Sequence, residues 1–269
     1  MNVTPQVLTA EERALIIKVA RCELIWRAER EDAHPCHTVV GSQGGVGEDD
    51  RQVPEAWAGN LHGSRLVFLS SNPSISEPGS GQPLDSAEDY PRASSTDHTI
   101  VEFQGRRFDQ TLPAPFVKNG RYLQKNGHYA QRPVKFWTSV QRRAEELLGP
   151  TADPSVNYVM TEVVHCKSKN EVGVPQAAGT CAKRYLNDLL ALTNAPIVAV
   201  VGKQSHGCLN DALGLGLPEP PYITQKELGG VVRHLVFVWH PASFGGPKTI
   251  TGLYGERELQ RLRKLLQAQ

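Results

Sequence analysis

The sequence contains no long apolar run, because none of its hydrophobic stretches approaches the roughly 18 residues that a bilayer-spanning helix needs. The amino terminus also lacks the apolar segment that is typical of a signal peptide. An excess of one charge is missing too, since 29 Lys and Arg oppose 28 Asp and Glu over 269 residues, for a net charge of +1. We therefore expect a cytoplasmic, monomeric protein without a membrane partner, and the overall charge does not by itself indicate nucleic-acid binding.

The charge is nevertheless unevenly distributed along the chain. Residues 92–143 carry ten Lys or Arg against three Asp or Glu, a net +7, whereas residues 1–60 carry six against ten, a net −4. Aromatic residues are interleaved with the basic ones, namely Phe103, Phe108, Phe116, Tyr122 and Tyr129. This composition is typical of a phosphate-facing surface, and a solvated insertion would have the same composition. Both interpretations stay open at this point.

The spacing of apolar residues predicts alternating helices and strands. Predicted helices cover residues 9–30, 133–148, 176–192, 204–213 and 254–266, the first of them opened by the Thr9 and Glu12 capping box. Predicted strands cover residues 65–71, 157–164, 197–201 and 231–239, and residues 31–63 are predicted as loop. The pattern indicates an α/β fold with three α/β/α layers around a central, mainly parallel four-stranded sheet. We interpret residues 1–269 as one domain with a long basic insertion at about 72–132.

Two of the predicted strands end in polar residues of the kinds that act in catalysis and ligand binding. The first strand continues into Ser70–Glu77, with Asn72 followed by proline, and the last continues into His240 and Pro241. The carboxyl ends of parallel strands meet at one edge of a sheet, where α/β folds bind ligands. We therefore expect Asn72 and His240 to converge on one pocket. Taken singly, each residue also fits a turn or a hydrogen-bonded structural role.

Together these stretches resemble the uracil-DNA glycosylase superfamily. Its first motif, Gly-x-Asn-Pro-Gly, is similar to residues 70–74, and its last motif, His-Pro-Ser, is similar to residues 240–243. Residues 161–190 look like the iron-sulphur branch, family four and its relatives. The resemblance covers about residues 65–84 and 133–265. It implies a uracil-DNA glycosylase-like fold, DNA as partner, and a monofunctional DNA glycosylase that hydrolyses the N-glycosidic bond of a flipped-out base to leave an abasic site.

The resemblance also implies roles for particular residues. Asn72 would hold and polarise the attacking water, and His240 would donate to the carbonyl of the departing base. Phe244 would act as a wedge that helps to extrude the nucleotide. The residues expected to bind DNA phosphates are Ser71, Ser74 and Ser243. No lysine follows either of the two strand ends, so no lyase activity is expected.

The cysteines match the iron-sulphur branch in part. Cys166 and Cys181 stand where that branch has its second pair of ligands, whereas the usual Cys-x-x-Cys pair is replaced by Cys22 and Cys36, with thirteen residues between them. The resemblance therefore implies a 4Fe-4S cluster on these four cysteines, with zinc as the alternative. We expect Cys208 to be an ordinary buried residue.

Two departures from the family concern the base. Uracil-specific relatives have Asn where this sequence has Glu162, and an ionised carboxylate, which only accepts hydrogen bonds, would suit the N4 amine of cytosine. The alternative is that Glu162 is ion-paired or protonated. Leu84 replaces the aromatic residue that stacks on the base, a role that Tyr90 or Phe103 would then take.

These departures favour a modified cytosine, 5-hydroxymethylated or glucosylated as in phage DNA, and hence antiviral defence, because removal of ordinary cytosine would destroy the host genome. A uracil-DNA glycosylase of base-excision repair is the first alternative. A catalytically silent nucleic-acid-binding protein is the second. A cysteine hydrolase ranks below both, because adjacent Cys and His residues on a strand point to opposite faces.

Overall fold

The computed structural model describes residues 7–43, 50–78 and 80–267. Eight helices are assigned in these ranges: α1 (Ala10–Ala20), α2 (Leu24–Arg30), α3 (His37–Gly41), α4 (Asp97–Gly105), α5 (Lys135–Leu148), α6 (Val174–Ala191), α7 (Gly202–Leu213) and α8 (Ile250–Gln267). Eight strands accompany them: β1 (Ala58–Gly59), β2 (Leu66–Ser70), β3 (Val117–Lys118), β4 (Arg121–Tyr122), β5 (Tyr158–Glu162), β6 (Ile197–Val201), β7 (Ile223–Leu228) and β8 (Val231–Val238).

The central sheet has six strands in the order β1-β5-β2-β6-β8-β7. The four inner strands, β5, β2, β6 and β8, run parallel, and the two edge strands pair antiparallel to their neighbours. The predicted α/β class is therefore confirmed, while the sheet is mixed and has six strands rather than four. β1 and β7 were not predicted, because β1 is only two residues long and β7 carries few buried apolar residues.

Helices cover both faces of the sheet because the inner strands alternate strictly between the faces. On β2, Val67 and Leu69 pack in a core with α1, α4, α6 and α7, while Leu66 and Phe68 pack on the other face with α5 and α8. All five residues of β2, β5 and β6 are buried, as expected for strands that are covered on two sides. The carboxyl ends of the parallel strands are the part of this frame that positions the site.

The amino-terminal part of the chain differs from its prediction at one functional point. The single predicted helix over 9–30 is broken into α1 and α2, and Cys22 lies in the break. The predicted capping box at Thr9 and Glu12 is confirmed, with both reciprocal hydrogen bonds present. The predicted loop over 31–63 contains α3, whose N-cap is Cys36. The break and the short helix are what orient these two thiols.

The predicted insertion at 72–132 is folded onto the core rather than solvated. It contains α4 and the β3–β4 hairpin, and α4 packs on α1. Tyr90, Ile100 and Phe103 belong to the larger of the two cores. Six of the ten Lys and Arg residues in 92–143 are exposed, namely Lys118, Arg121, Lys125, Arg132, Lys135 and Arg142.

Within the described ranges, none of the helices has the length and hydropathy needed to cross a lipid bilayer.

Candidate active site

A pocket of about 680 Å³ lies at the carboxyl edge of the parallel strands. Asn72 after β2, Glu162 at the end of β5 and His240 after β8 all line it, although they are 168 positions apart at the extremes. Among the predicted DNA-binding residues, Ser71, Ser74 and Ser243 also line it. The convergence that the strand ends predicted is therefore present.

The distance between Asn72 and His240 is set by the strand that lies between β2 and β8. β6 separates β2 from β8, so two strand spacings, about 10 Å, separate the two strand ends. β6 is followed by Gly202 at φ 90°, and a Cβ at this position would lie 2.9 Å from the His240 Cβ. Only glycine adopts this backbone readily and leaves that space free. The sheet thus separates the amide and the imidazole by roughly the width of a nucleoside.

The Asn72 side chain is held by its nitrogen. Nδ2 donates to the Ser168 hydroxyl at 2.9 Å and to the Pro73 carbonyl at 3.0 Å. These two bonds fix the plane of the amide, so Oδ1 occupies the opposite corner of the group as an acceptor. A water molecule that donates to Oδ1 would be oriented with its lone pairs directed away from Asn72.

His240 is arranged as a neutral hydrogen-bond donor. The backbone N–H of Ala242 donates to Nδ1 at 3.2 Å, which places the imidazole proton on Nε2. Burial lowers the pKa of His240, and the charges of Arg143 and Lys248 add to this, against an opposing contribution from Glu171. At neutral pH the side chain is therefore an uncharged imidazole whose Nε2–H can point to an acceptor.

The loop after β8 is held by two cations that the sequence analysis did not identify. The buried Arg143 of α5 donates to the Trp239 carbonyl at 2.5 Å and to the Lys248 carbonyl at 3.0 Å. Lys248 Nζ donates to the hydroxyl and the carbonyl of Ser243, at 2.7 and 2.6 Å. Ser243 in turn donates to the His240 carbonyl at 2.7 Å. These bonds form a closed loop that fixes His240.

Glu162 is buried at the floor of the pocket. It is 6% exposed, and burial raises its pKa well above the usual range, with the negative charge of Glu55 acting in the same direction. Ser70 donates to Oε1 at 3.4 Å, and Oε2 has no hydrogen-bond partner among the described residues. Of the two expectations for Glu162, these surroundings favour the protonated acid over the ionised carboxylate.

Three ion pairs beside Glu162 favour the protonated form of this third carboxyl. Arg107 donates to Glu55 and to Glu88, each at 2.5 Å, and Lys167 donates to the second oxygen of Glu55 at 3.0 Å. Burial opposes the ionisation of Glu55, yet the charges of Arg107 and Lys167 outweigh it and lower the pKa to about 2. Two cations are thus already balanced by two carboxylates, and a further negative charge would have no counterion.

The carboxylate of Glu171 lies near the mouth of the pocket. Glu171 accepts a short hydrogen bond from the Ser71 hydroxyl and acts on His240 through its charge. It and Asn170 adopt left-handed backbone, with φ of 58° and 54°, which is uncommon for residues other than glycine. A carboxylate bonded to Ser71 disfavours a phosphate there, so of the three predicted serines the exposed Ser74 fits a phosphate contact best.

The predicted base-stacking residues lie away from the pocket. Leu84 is 83% exposed, and Tyr90 and Phe103 are buried in the core and border a separate cavity of about 560 Å³. Their expected stacking role has no support in these positions. The aromatic side chains that do line the pocket are Tyr122, Phe136 and Trp137, and the Phe136 ring lies 5.8 Å from the His240 ring. Phe244 is fully exposed, as a wedge requires.

The four predicted metal ligands meet at one place. Cys22, Cys36, Cys166 and Cys181 line a single cavity of about 10 Å³, whereas Cys208 does not. Burial raises the pKa of Cys166, the charges of Cys181, Cys22 and Cys36 raise it further, and Arg51 lowers it. The backbone N–H of His165 donates to the Cys181 sulfur at 3.4 Å. By a geometric criterion, no group of three or more metal-ligating side chains is found in the described part of the chain.

No protein-family model matches the sequence, and no curated protein matches it either.

Proposed function

We propose that this protein is a DNA glycosylase of the uracil-DNA glycosylase superfamily type that removes a 5-modified cytosine. One observation carries the proposal: an amide after β2 and an imidazole after β8, distant in sequence, face one nucleoside-sized pocket at the carboxyl edge of the sheet. The four parallel inner strands, with helices on both faces, agree with the fold that the resemblance implies. The exposed basic residues of the 92–143 segment suit contact with a DNA backbone.

Hydrolysis of the N-glycosidic bond gives positive character to the sugar and negative charge to the leaving base. Asn72 Oδ1 orients a water for attack at the anomeric carbon, and Glu171 supplies a negative charge at the mouth of the pocket. His240 Nε2–H donates to O2 of the base, and this bond strengthens as charge develops on O2. A neutral histidine keeps the proton and stabilises the transition state as a donor.

Glu162 extends this mechanism from uracil to cytosine. Uracil can leave as an anion, whereas cytosine is a poorer leaving group unless N3 is protonated. The protonated Glu162 matches the cytosine edge with both oxygens, because its O–H donates to N3 and its carbonyl accepts from the N4 amine. As the C–N bond breaks, the proton moves from Glu162 to N3 and neutral cytosine leaves. The attacking water forms the new bond to the anomeric carbon and releases its proton to solvent, from which Glu162 is reprotonated. The same acid also pairs with uracil, so the hydrogen-bonding pattern alone does not select the base.

We further propose that Cys22, Cys36, Cys166 and Cys181 hold a 4Fe-4S cluster, with zinc as the alternative. Four thiols at one cavity and an N–H donated to a sulfur suit either metal centre. When bound, the cluster supplies a structural cross-link between the α1–α2 break, the start of α3, the segment after β5, and α6. It takes no part in the hydrolysis.

The metal content of the purified protein separates these alternatives. We expect iron and sulphide in about four equivalents each, and a brown colour with absorption near 400 nm, an approximate value for thiolate-bound iron. Cys166→Ser should abolish the colour, and Cys208→Ser, the matched control outside the cavity, should retain it. One equivalent of zinc in a colourless protein would contradict the iron-sulphur assignment.

The experiment that tests the glycosylase uses oligonucleotides with a single uracil, 5-hydroxymethylcytosine or glucosylated 5-hydroxymethylcytosine. Alkali cleaves the strand wherever a base has been removed. We expect cleavage at the modified cytosines, and a loss of turnover with retained DNA affinity in Asn72→Ala. Cleavage only at uracil would favour a uracil-DNA glycosylase of base-excision repair. DNA binding without any cleavage would favour a catalytically silent binding protein.

A further inference from the structure

The deep end of the pocket contains more charge than the hydrolysis needs. Glu55, Glu88, Arg107 and Lys167, here called the deep polar cluster, have side chains only 2–5% exposed, yet all four line the pocket. Arg107 Nε has no hydrogen-bond partner among the described residues, and the same holds for Glu162 Oε2 next to the cluster. Unpaired buried polar atoms are costly, and a ligand in the pocket would relieve that cost.

The mixture of charges limits the chemistry of such a ligand. A phosphate would be repelled by the carboxylates Glu55 and Glu88, and a cation would be repelled by Arg107 and Lys167. A hydroxyl group both donates and accepts, so a neutral ligand with many hydroxyls can donate to the carboxylates and accept from the cations at once. The pocket wall beside the cluster also carries aromatic rings, and the Arg107 guanidinium lies 5.0 Å from the Trp137 ring. This combination suits a hexose.

The position of the cluster relative to Glu162 indicates where the hexose would be attached. If Glu162 pairs with N3 and N4 of a cytosine, the neighbouring ring atom is C5, and a substituent on C5 projects beside the N4 edge. Glu55, Lys167 and Arg107 line the same pocket as Glu162. A group on C5 of a base that pairs with Glu162 therefore shares the pocket with the cluster.

The size of the pocket agrees with this arrangement. Its volume of about 680 Å³ equals that of roughly 20 liquid water molecules at about 30 Å³ each. An extruded pyrimidine has about 8 non-hydrogen atoms, whereas a hexose on its 5-hydroxymethyl group brings the count to about 21. A pyrimidine alone would leave much of the space empty.

We propose that the deep polar cluster is the subsite for a neutral hexose carried on the 5-hydroxymethyl group of the extruded cytosine. This inference rests on the proposed glycosylase function and adds the part of the substrate that selects it. The carboxylate of Glu88 is the acceptor most accessible to change, because it bonds only Arg107 and the Ser76 hydroxyl at 2.7 Å.

The test compares two substrates that differ only in the hexose, 5-hydroxymethylcytosine and its glucosylated form in a single-stranded oligonucleotide. Glu88→Gln should lower kcat/KM for the glucosylated base about 10- to 100-fold more than for 5-hydroxymethylcytosine, because both substrates share any effect of the lost charge on Glu162 and only the glucosylated one also loses a hydrogen bond to a charged acceptor. Ser76→Ala perturbs the same carboxylate with less risk to folding and should act in the same direction. Glu102→Gln, an ion-paired carboxylate outside the pocket, is the matched control and should change neither rate.

The outcomes are distinguishable. A selective loss of the glucosylated substrate in both variants supports the subsite. Equal effects on the two substrates in Ser76→Ala, or a wild-type protein that removes 5-hydroxymethylcytosine but excludes its glucosylated form, would overturn the subsite and leave the glycosylase intact. If the wild-type protein removes neither base, the proposed function fails and the subsite fails with it.

Discussion

Replacement of Glu162 by Gln tests the proton that the mechanism assigns to this side chain. Glutamine keeps the size of the side chain, one donor and one acceptor, so the cytosine edge is still bound. It cannot transfer a proton to N3. General acid catalysis contributes about 10²- to 10⁴-fold, so the rate on 5-hydroxymethylcytosine should fall by that factor, or about 2.7–5.5 kcal/mol of barrier.

Uracil provides the internal control, because its departure needs no proton on N3. Single-turnover rates on single-stranded oligonucleotides, with strand cleavage by alkali, should show that Glu162→Gln retains any uracil activity of the wild type. The selectivity for cytosine over uracil should therefore collapse. A variant that still removes 5-hydroxymethylcytosine within about threefold of the wild-type rate would refute the assignment of Glu162 as the acid.

The pH dependence follows from the direction of the pKa shift. Burial raises the pKa of Glu162, and the active form is the protonated one, so the wild-type rate should decline as pH rises through this raised pKa. Glu162→Gln should lack that decline. Since a raised carboxyl pKa favours the folded state at low pH and loses this advantage as pH rises through it, the variant should also unfold at higher temperature than the wild type under alkaline conditions.

Three further changes probe the frame of the site. Gly202→Ala places a Cβ 2.9 Å from the His240 Cβ and should lower turnover at least about tenfold. Gly207→Ala has open space around its Cβ and should not lower turnover. Glycosylase assays of the two folded variants measure this difference. Phe244→Ala should slow base removal from duplex DNA about tenfold more than from single strands, because only in the duplex must the base be unpaired from the opposite strand. Trp26→Ala changes another exposed aromatic residue and should leave the ratio of duplex to single-strand rates unchanged. Glu55→Gln leaves two buried cations short of a carboxylate and should cost about 3–5 kcal/mol in urea unfolding at pH 7. The wild-type contribution of Glu55 is present above its unfolded pKa near 4.5 and is lost as pH falls toward 2, so the difference between the two proteins should shrink in acid.

The strand ends were predictable from the sequence for a simple physical reason. Apolar runs that stop in polar turn residues indicate parallel strands, and such strands place their ends at one edge. Asn72, Glu162 and His240 therefore converge as expected. The family resemblance implied that the four cysteines lie together, and they line one cavity, although the helix break that orients Cys22 was not predicted.

The deep polar cluster could not be predicted in this way. Arg107 pairs with Glu55 over 52 positions, and Lys167 pairs with Glu55 over 112 positions, so no sequence spacing links them. The protonation state of Glu162 was unpredictable for the same reason, since it depends on how many buried charges surround it. Phe136 and Trp137 lie on α5, which was predicted as a helix, and nothing local distinguishes an apolar face that packs on the core from one that lines a pocket.

The deep polar cluster is hard to explain by stability alone. Buried ion pairs contribute little net stability, because the cost of removing both ions from water offsets their attraction, and apolar residues of the same volume are often as stable or more stable. The charges here also open onto a cavity instead of being sealed in the core. Three ion pairs favour a protonated Glu162 without neutralising the pocket wall, so in the proposed enzyme one arrangement would supply an acid for the base and acceptors and donors for a hydroxylated substituent. A pocket built only to hold uracil would require neither.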